Sequence, residues 1–327
     1  MTAFFIGDLA LDEYYTAEQW PGVADKGFIT ELPQECGGSI ANAAVVHAAL
    51  GGETEFISLL NDSPLSDRLI GDLQANGVSA RHMLRQPGIP ESRNLIFLVE
   101  GEHVVLTVAM GQQPMHLRPE TMAALRQPGA LYTTLYRARR LVDGDGPLAQ
   151  AELLADLRAH GRRVIFDLDV GGAEPADEPF LRGADVVILN AVGFRATFGS
   201  DDIRAAAAWQ QRLGIARVIR TMAADGAEAL EGGRHIRVPG HRVPVADVTG
   251  AGDTFGAALT WGLGQNHPFD AALAFAVAAA SRSVTRHGPR GGKASRAEVL
   301  EWMQARQGRA AIAEEPADAP AKPAPER

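Results

Sequence analysis

Three small residues, Gly250, Ala251 and Gly252, come directly before Asp253, at the start of a stretch that is typical of a helix. The first N–H groups of a helix have no acceptor within it, and small residues let a ligand approach them closely. Such a helix end binds phosphate well. The simpler interpretation is that Asp253 caps its own helix. The motif alone does not choose between a cap and an anion site.

An aspartate beside an anion site needs a chemical task, because its charge would otherwise repel a phosphate group. Accepting the proton of a hydroxyl group that then attacks the phosphate is such a task. The free N–H groups would stabilise the charge on the transferred group. A dinucleotide-binding loop is excluded, since the stretch GAGDTFG lacks the spacing G-x-G-x-x-G and comes late in the chain.

Two other places carry side chains that could bind a ligand. Asn42 lies on a predicted helix of otherwise small and apolar residues, where a buried amide without a partner is costly, which favours a ligand as its partner. Arg137, Arg139 and Arg140 follow a predicted strand at its carboxyl end, where open α/β sheets bind ligands. Arginine suits a carboxylate, sulfonate or phosphate. A solvated basic surface is favoured for Arg139 and Arg140 and stays open for Arg137.

Several other chemistries lack their motifs in this sequence. The nine histidines show no metal-ligand spacing. There is no G-x-S-x-G elbow of a serine hydrolase and no Walker A loop of a P-loop kinase.

The elements that would position these residues alternate between strand and helix, which predicts a mostly parallel α/β sheet. Short apolar runs predict strands at 3–9, 54–60, 130–135, 163–168, 185–189 and 217–221. Helical patterns lie at 39–51, 65–76, 148–160 and 203–213.

Two stretches break this alternation. Residues 14–35 have no helical period, and residues 93–110 predict two strands around the turn Glu-Gly-Glu. Both flank the glycine-rich segment before Asn42, so we expect a small β-rich appendage on the core. Ordinary edge strands are the alternative.

The amino-acid composition limits which classes of protein this chain can belong to. The chain has 327 residues, 46% of them hydrophobic, with a net charge of −9, which argues against a nucleic-acid footprint. A single cysteine, Cys36, excludes an internal disulfide and suits a reducing compartment. The N-terminus lacks a signal-peptide pattern and the apolar run 270–280 is too short to span a bilayer, so we expect a cytoplasmic protein without a membrane partner. Residues 309–327 are rich in Ala, Pro and Glu and are predicted to be disordered.

The two glycine motifs together resemble the signatures of the ribokinase-like (PfkB-type) carbohydrate kinases. Residues 247–255, DVTGAGDTF, are similar to the family's D-x-T-G-A-G-D-x-F. Residues 37–44, GGSIANAA, with Leu50-Gly51 after them, are similar to G-G-x-x-x-N-x-A…L-G. The resemblance covers about residues 3–307. It implies one three-layer α/β domain over 1–308, with a discontinuous β-sheet lid at about 13–36 and 92–112 that packs into homodimers in many members.

The resemblance also implies an ATP-dependent phosphorylation of a primary hydroxyl of a small sugar or sugar acid, with Mg²⁺ and, as in many members, a monovalent cation such as K⁺. It assigns Asp253 as the catalytic base, with the amides of Gly250, Ala251 and Gly252 as the anion hole. The sugar would be held by Asp12, Gly38, Asn42 and, in an anionic pocket, Arg137. The nucleotide would be held by Asn190, Thr221, Asp225 and Gly226. A monovalent cation would be held by Asp247 and Thr249.

Two positions depart from the family pattern. Residue 193, where the family has the glutamate of N-x-x-E that orients magnesium, is glycine, and Ala223 stands where glycine is usual in the nucleotide loop. The basic residues after 135 are most similar to kinases of the sulfofructose type, which act on an anionic ketose. A nucleoside kinase of the same fold, or a binding protein that has lost catalysis, are the alternatives.

Overall fold

The computed structural model describes residues 1–22, 24–100, 102–108 and 111–313. The strands in these residues are β1 (Ala3–Ile6), β2 (Ala10–Ala17), β3 (Thr30–Glu31), β4 (Glu35–Gly37), β5 (Thr54–Ile57), β6 (Leu59–Leu60), β7 (Leu84–Arg85), β8 (Arg93–Val99), β9 (Glu102–Thr107), β10 (Met115–Leu117), β11 (Gly129–Thr133), β12 (Leu141–Asp143), β13 (Arg162–Asp167), β14 (Val186–Asn190), β15 (Arg217–Thr221), β16 (Ala227–Glu231) and β17 (Arg234–Val238).

The helices of the described residues lie mostly between the strands of the main sheet. They are α1 (Ser39–Ala49), α2 (Pro64–Ala75), α3 (Pro119–Leu125), α4 (Leu135–Ala138), α5 (Gln150–Ala159), α6 (Glu178–Leu181), α7 (Ala191–Phe198), α8 (Ala207–Leu213), α9 (Ala251–Gly264), α10 (Phe269–Ser283) and α11 (Arg296–Ala313). Short 3-10 turns precede α6 and α8 and follow β15.

The main sheet of the described residues has the strand order β17-β16-β15-β14-β13-β11-β1-β5. Within this order, the neighbouring strands β15, β14, β13, β11, β1 and β5 pair in parallel. Strands β16 and β17 continue the sheet through antiparallel pairing. Because β1 and β11 are adjacent and parallel, Ile6 lies opposite Thr133, and the loops that follow both strands meet at one edge of the sheet.

Helices cover both faces of this sheet, which makes a three-layer fold. Alternate residues of each strand point to opposite faces. Phe5 and Tyr132 pack with α1, α9 and α10 in one buried cluster, whereas Phe4, Leu131 and Val164 pack with α3 and α5 in the other. The strands are buried on both faces, so their sequences are continuous apolar runs rather than alternating ones.

The two stretches that break the alternation form a separate sheet, the lid, from β2, β3, β4, β8 and β9. The lid lies beside the amino end of α1, because β4 ends at Gly37 and α1 begins at Ser39. The predicted hairpin is present as β8 and β9, although its turn residue Gly101 and its end at 109–110 lie outside the described residues.

Most predicted strands and helices of the core are confirmed within a few residues at their ends. The predicted strand at 54–60 is divided into β5, in the main sheet, and β6, which pairs with β7, and the predicted helix at 203–213 begins as a 3-10 turn before α8. Two boundaries also differ. Helix α9 begins at Ala251, two residues before the expected Asp253, because Gly250 turns the chain into the helix. Helix α11 continues past residue 308 to Ala313, and residues 314–327 of the predicted tail lie outside the described residues.

Candidate active site

Gly250 turns the chain into helix α9, and its position requires glycine. Its φ is +74°, in the left-handed region that side chains other than that of glycine disfavour. A Cβ at Gly250 would lie 1.9 Å from the carbonyl oxygen of Pro289. The loop at Pro289 therefore packs directly against the start of α9.

The first N–H groups of α9 are only partly used within the protein. The amide of Ala251 donates to the carbonyl oxygen of Val248 at 3.2 Å, so the predicted contribution of Ala251 to an anion hole is already engaged in a turn. Among the described residues, the amides of Gly252 and Asp253 have no acceptor. Apart from its chain neighbours and the backbone of its own helix, no heavy atom of the described residues lies within 4 Å of a Cβ placed at Gly252. The helix end therefore offers two free donors to an anion.

Asp253 does not cap its own helix. Its carboxylate instead faces α1, where the Ser39 hydroxyl donates to Oδ1 at 2.6 Å and the Asn42 amide donates to Oδ2 at 3.2 Å. The cap interpretation is thus wrong for this side chain. The fold brings together the two glycine motifs, which lie more than two hundred residues apart, at one carboxylate.

The environment of Asp253 raises its pKa to about 7. Burial is the main cause, the hydrogen bonds from Ser39 and Asn42 oppose it, and the negative charges of Asp167 and Asp169 add to it. A base is most effective when its pKa lies near the working pH. Asp253 can therefore accept a proton near neutral pH.

Asp12 lies on the lid strand β2, against the loop that begins α1. Its carboxylate is buried, and Oδ1 accepts a hydrogen bond from the Asn94 amide at 2.7 Å. Burial raises its pKa, and the bond from Asn94 opposes this. A Cβ at Gly37 would lie 1.9 Å from Oδ2 of Asp12. The lid acid and the first glycine motif thus touch.

Gly38 links the same loop to the end of β1. Its φ is +103°, and a Cβ there would lie 2.3 Å from the carbonyl oxygen of Asp8. Asp8 in turn forms an ion pair with the guanidinium of Arg137, which lies on α4 after β11. Arg137 is buried, and burial lowers its pKa to about 10. The positive charge of Arg137 is therefore matched by a carboxylate of the chain itself.

The two neighbouring arginines also have partners. Arg139 forms an ion pair with Asp177, and the guanidinium of Arg140 lies 3.9 Å from the centre of the Tyr136 ring. Carboxylates of the chain therefore neutralise Arg137 and Arg139, whereas the partners of Arg140 are the ring and carbonyl oxygen of Tyr136 and Oε1 of Gln112.

A cavity of about 550 Å³ is lined by the end of β15, the loop after it and the start of α9. Its lining is mostly apolar and includes Val245, Val248 and Phe255. Of the predicted nucleotide residues, Thr221 and Gly226 line it, together with Ala251 and Gly252, whereas the exposed Asp225 is not part of the lining. Gly252, whose amide has no acceptor among the described residues, is thus part of the cavity lining.

Asn190 ends β14 and caps helix α7. Its Oδ1 accepts from the amide of Gly193 at 2.9 Å, and its amide group donates to Oδ1 of Asp169 at 2.7 Å. A Cβ at Gly193 would lie 1.9 Å from the carbonyl oxygen of Asp169. The backbone at Asp169, with a φ of +46°, thus leaves no room for a side chain such as glutamate at position 193, and the carboxylate of Asp169 accepts a hydrogen bond from Asn190.

Asp247 connects two loops. Its two oxygens accept backbone N–H groups from Thr249 and Gly288, each at 2.9 Å. Burial raises its pKa, but the bonds from Thr249 and Gly288 outweigh burial and leave the pKa low. The ionised carboxylate therefore holds the loop before α9 against residue 288.

Three residues near Asp253 were not predicted from the sequence: Ser39, Asp167 and Asp169. Asp167 is partly buried at the end of β13, accepts a hydrogen bond from the Tyr132 hydroxyl at 2.6 Å, and has its pKa raised to about 6, mainly by burial. The sequence did carry a signal for the two aspartates, because acids at the end of a buried strand lie at the edge of the sheet where ligands bind. Ser39 carried no signal, because a serine at a helix start is an ordinary capping residue.

A comparison with known protein families agrees with the geometry of this site. Residues 8–295 match the model of the pfkB family of carbohydrate kinases. The chain belongs to this family. As a pfkB family member it is a carbohydrate kinase, a phosphotransferase with an alcohol group as acceptor, on a ribokinase-like α/β fold.

Among its pfkB relatives, the ribokinase of Bacillus subtilis is 26% identical over 91% of this chain and 98% of the relative. The aminoimidazole riboside kinase of Salmonella typhimurium is 27% identical over 72% of this chain and 76% of the relative. The structure of Arabidopsis thaliana ribokinase complexed with ribose and ATP superposes with a TM-score of 0.79 at 22% identity, covering 93% and 98% of the two chains. At this identity the superposition establishes the shared fold.

None of the helices in the described residues is long and apolar enough to cross a membrane. These residues also contain no group of three or more His, Cys, Asp or Glu side chains that could hold a metal ion.

Proposed function

We propose that the protein transfers the terminal phosphoryl group of ATP to a primary hydroxyl group of a small, uncharged sugar or riboside. The observation that carries the proposal is the Asp253 carboxylate at the start of α9, held by Ser39 and Asn42 beside the free amides of Gly252 and Asp253. The mostly apolar cavity, whose lining includes Gly252, has a size and lining that suit a nucleotide.

The chain's own residues supply each step of the transfer. The acceptor hydroxyl displaces or joins Ser39 at Asp253 and gives its proton to the carboxylate. Its oxygen then attacks the terminal phosphorus, the bond to the bridging oxygen of ATP breaks, and ADP leaves. The free amides stabilise the charge on the transferred group. Asp12 and Asn42 are positioned to bind other hydroxyl groups of the acceptor.

We infer the charge of the acceptor from the pairing of Arg137. An anionic ketose was expected from a free arginine after β11, but Asp8 already pairs with Arg137. Separating a buried ion pair leaves one uncompensated charge, which costs several kcal/mol. An uncharged acceptor requires no such separation, so we assign neutral sugars as the substrate class.

A nucleoside acceptor is the second candidate. Aminoimidazole riboside kinases are similar to this chain both in sequence and in fold. A riboside presents the same primary hydroxyl to Asp253 as a free pentose, so the catalytic geometry does not discriminate between the two.

Magnesium fits the site as an ion held chiefly by the nucleotide. Mg²⁺ is commonly bound by one or two carboxylates together with substrate phosphates. Asp169, with Asp167 close behind it, supplies hard oxygen donors beside Asn190. When bound, the ion would neutralise charge on the ATP phosphates. A monovalent cation would lie at Asp247 and Thr249, where a low carboxylate pKa keeps a negative charge.

The lid is the proposed surface for a homodimer. Its described residues expose several large apolar side chains, which are Trp20, Phe28, Ile29, Leu98, Val105 and Leu106. Exposed apolar patches of this kind often mark protein interfaces. Light scattering of the wild type and of Leu106→Asp tests this, since a monomer in both samples would contradict it.

The activity test is an ADP-release assay with a panel of acceptors. The panel contains ribose, fructose, aminoimidazole riboside, adenosine and an anionic ketose, with Asp253→Asn as the blank. We expect turnover with at least one neutral acceptor. Clear thermal stabilisation by ATP without ADP release on any acceptor would instead identify a binding protein. Turnover only with the anionic ketose would refute the assignment from Arg137.

A further inference from the structure

Arg290 lies in the loop between α10 and α11, outside both glycine motifs. This loop touches both motifs. The carbonyl oxygen of Pro289 lies where a Cβ of Gly250 would be, and the amide of Gly288 donates to Asp247. Arg290 itself reaches the first motif, because its Nε donates to Oδ1 of Asn42 at 3.2 Å.

The guanidinium is anchored on its far side. Its Nη1 donates to Oδ2 of Asp72 on α2 at 2.6 Å, and the arginine side chain is only 18% exposed. The planar fork of an arginine can bind two acceptors in a fixed geometry, which a lysine ammonium cannot reproduce. Asp72 therefore fixes the direction in which Nε points at Asn42.

The carboxamide of Asn42 has two ends, and only one of them suits Asp253. Its oxygen is an acceptor and its NH₂ group is a donor. With the oxygen bound to Arg290, the NH₂ group faces Oδ2 of Asp253 at 3.2 Å. The reversed amide would place oxygen against carboxylate oxygen, which is repulsive, and would leave Arg290 facing a donor.

We propose that Arg290 is a positioning residue that holds the Asn42 carboxamide with its NH₂ group toward the catalytic carboxylate. The proposal rests on the function assigned above to Asp253, but its geometry stands without knowledge of the acceptor. The order of contacts is Asp72, Arg290, Asn42 and Asp253, and each link is a hydrogen bond between side chains.

The expected consequence is a change in the proton affinity of Asp253. The groups that face this carboxylate are Ser39 and Asn42 from α1, Asp167 and Asp169 from the end of β13, and the Tyr132 hydroxyl from β11. The bond from Asn42 favours the charged form. Without Arg290 the amide is free to turn, so the pKa of Asp253 should rise by about one, the size expected for a lost bond to a charged group.

The test is a double-mutant cycle on the pKa of Asp253, measured by NMR titration of ¹³C-labelled aspartate carboxyls. The Asp253 signal is assigned by its loss in Asp253→Asn. Arg290→Gln should raise the pKa in the wild-type background and change it little in Asn42→Ala. An equal rise in both backgrounds would show a direct charge effect and overturn the proposal, as would no rise at all.

Two further variants separate geometry from charge and from folding. Arg290→Lys keeps the charge and the pair with Asp72, but one ammonium cannot hold both partners, so the pKa should rise here too. Lys293→Gln is the matched control, because Lys293 joins the same loop to Asn76 just after α2 without touching Asn42. Its removal should leave the pKa of Asp253 unchanged. A rise in Lys293→Gln equal to that in Arg290→Gln would refute the positioning role.

Turnover gives the second readout, with ribose as the probe. Arg290→Gln should lower kcat about tenfold with little change in the KM for ATP, and the loss should not add to that of Asn42→Ala. Additive losses would mean that Arg290 does not act through Asn42. If no acceptor of the panel is phosphorylated by the wild type, the proposed function fails, whereas the titration still decides the role of Arg290.

Discussion

The two sides of the candidate active site are built differently. On the acceptor side, Asp253 and Asp12 are held by named side chains, and each carboxylate has at least one partner within 3.2 Å. On the nucleotide side, the cavity is lined mainly by Val, Ala and Gly, and its free donors are backbone amides at the start of α9.

The acceptor side is expected to bind mainly through defined polar contacts, whereas the nucleotide side is expected to bind mainly through its shape. A backbone amide is lost only when proline is introduced, and an apolar lining contributes contact area but little control of the ligand's orientation. On the acceptor side, a single side chain fixes the protonation or the orientation of another. Substitutions on the acceptor side should therefore change kcat, and substitutions in the cavity should change the KM for ATP.

The largest expected effect is on the acceptor side. Asp253→Asn keeps the size of the side chain but removes the base, so we expect kcat to fall about 10³-fold, within the range for general-base catalysis. Isothermal titration should show that the affinity for ATP is nearly unchanged. Retained turnover would remove Asp253 as the base.

The pH dependence of turnover should show the raised pKa of the same carboxylate. Since the base must be ionised, kcat/KM should increase with pH up to about 7, the pKa of Asp253, and fall about tenfold for each pH unit below it. A rate that stays constant down to pH 5 would contradict this assignment.

Stability should change with pH in the opposite direction. The pKa of Asp253 is higher in the folded chain than its ordinary value near 3.8, so the folded state holds this proton more tightly. This carboxyl stabilises the fold fully at pH values below its ordinary pKa, and its contribution decreases until the pH passes about 7. Urea unfolding of the wild type and Asp253→Asn between pH 4 and pH 8 measures the difference, which should be smaller in the variant.

The region around Gly193 on the nucleotide side can be tested by introducing the glutamate that the family has at this position. Gly193→Glu would place a Cβ 1.9 Å from the carbonyl oxygen of Asp169, and the backbone would have to move. We expect a loss of about 1–3 kcal/mol in the free energy of unfolding and lower turnover, although the family has glutamate there. Gly193→Ala is the control for the clash alone. A gain in activity with glutamate would contradict the substitution of its role by Asp169.

The smallest expected effect lies in the cavity. Val248→Ala removes two methyl groups from the lining, so the KM for ATP should rise about threefold to tenfold at constant kcat. Steady-state kinetics with varied ATP measures this. A change in kcat without a change in the KM for ATP would break the distinction between the two sides.

Local patterns in the sequence were sufficient for the fold and for part of the site. The continuous apolar strands between helical stretches predicted the three-layer sheet, because strands buried on both faces cannot alternate. The interruption at residues 14–35 and 93–110 predicted the lid. The two glycine motifs predicted the carboxylate and the helix end, since their spacing is set by backbone conformation close to each motif.

Contacts between distant segments were decided only by the tertiary structure. No local pattern tells that Asp8 pairs with Arg137 or that the backbone of Asp169 excludes a side chain at Gly193. The charge offered to the acceptor and the space available at position 193 depend on these contacts. The sequence thus determined which groups are present, and the packing of segments more than twenty residues apart determined which of them are free to act, because a polar group is available to a ligand only when no neighbour in the fold has already paired with it.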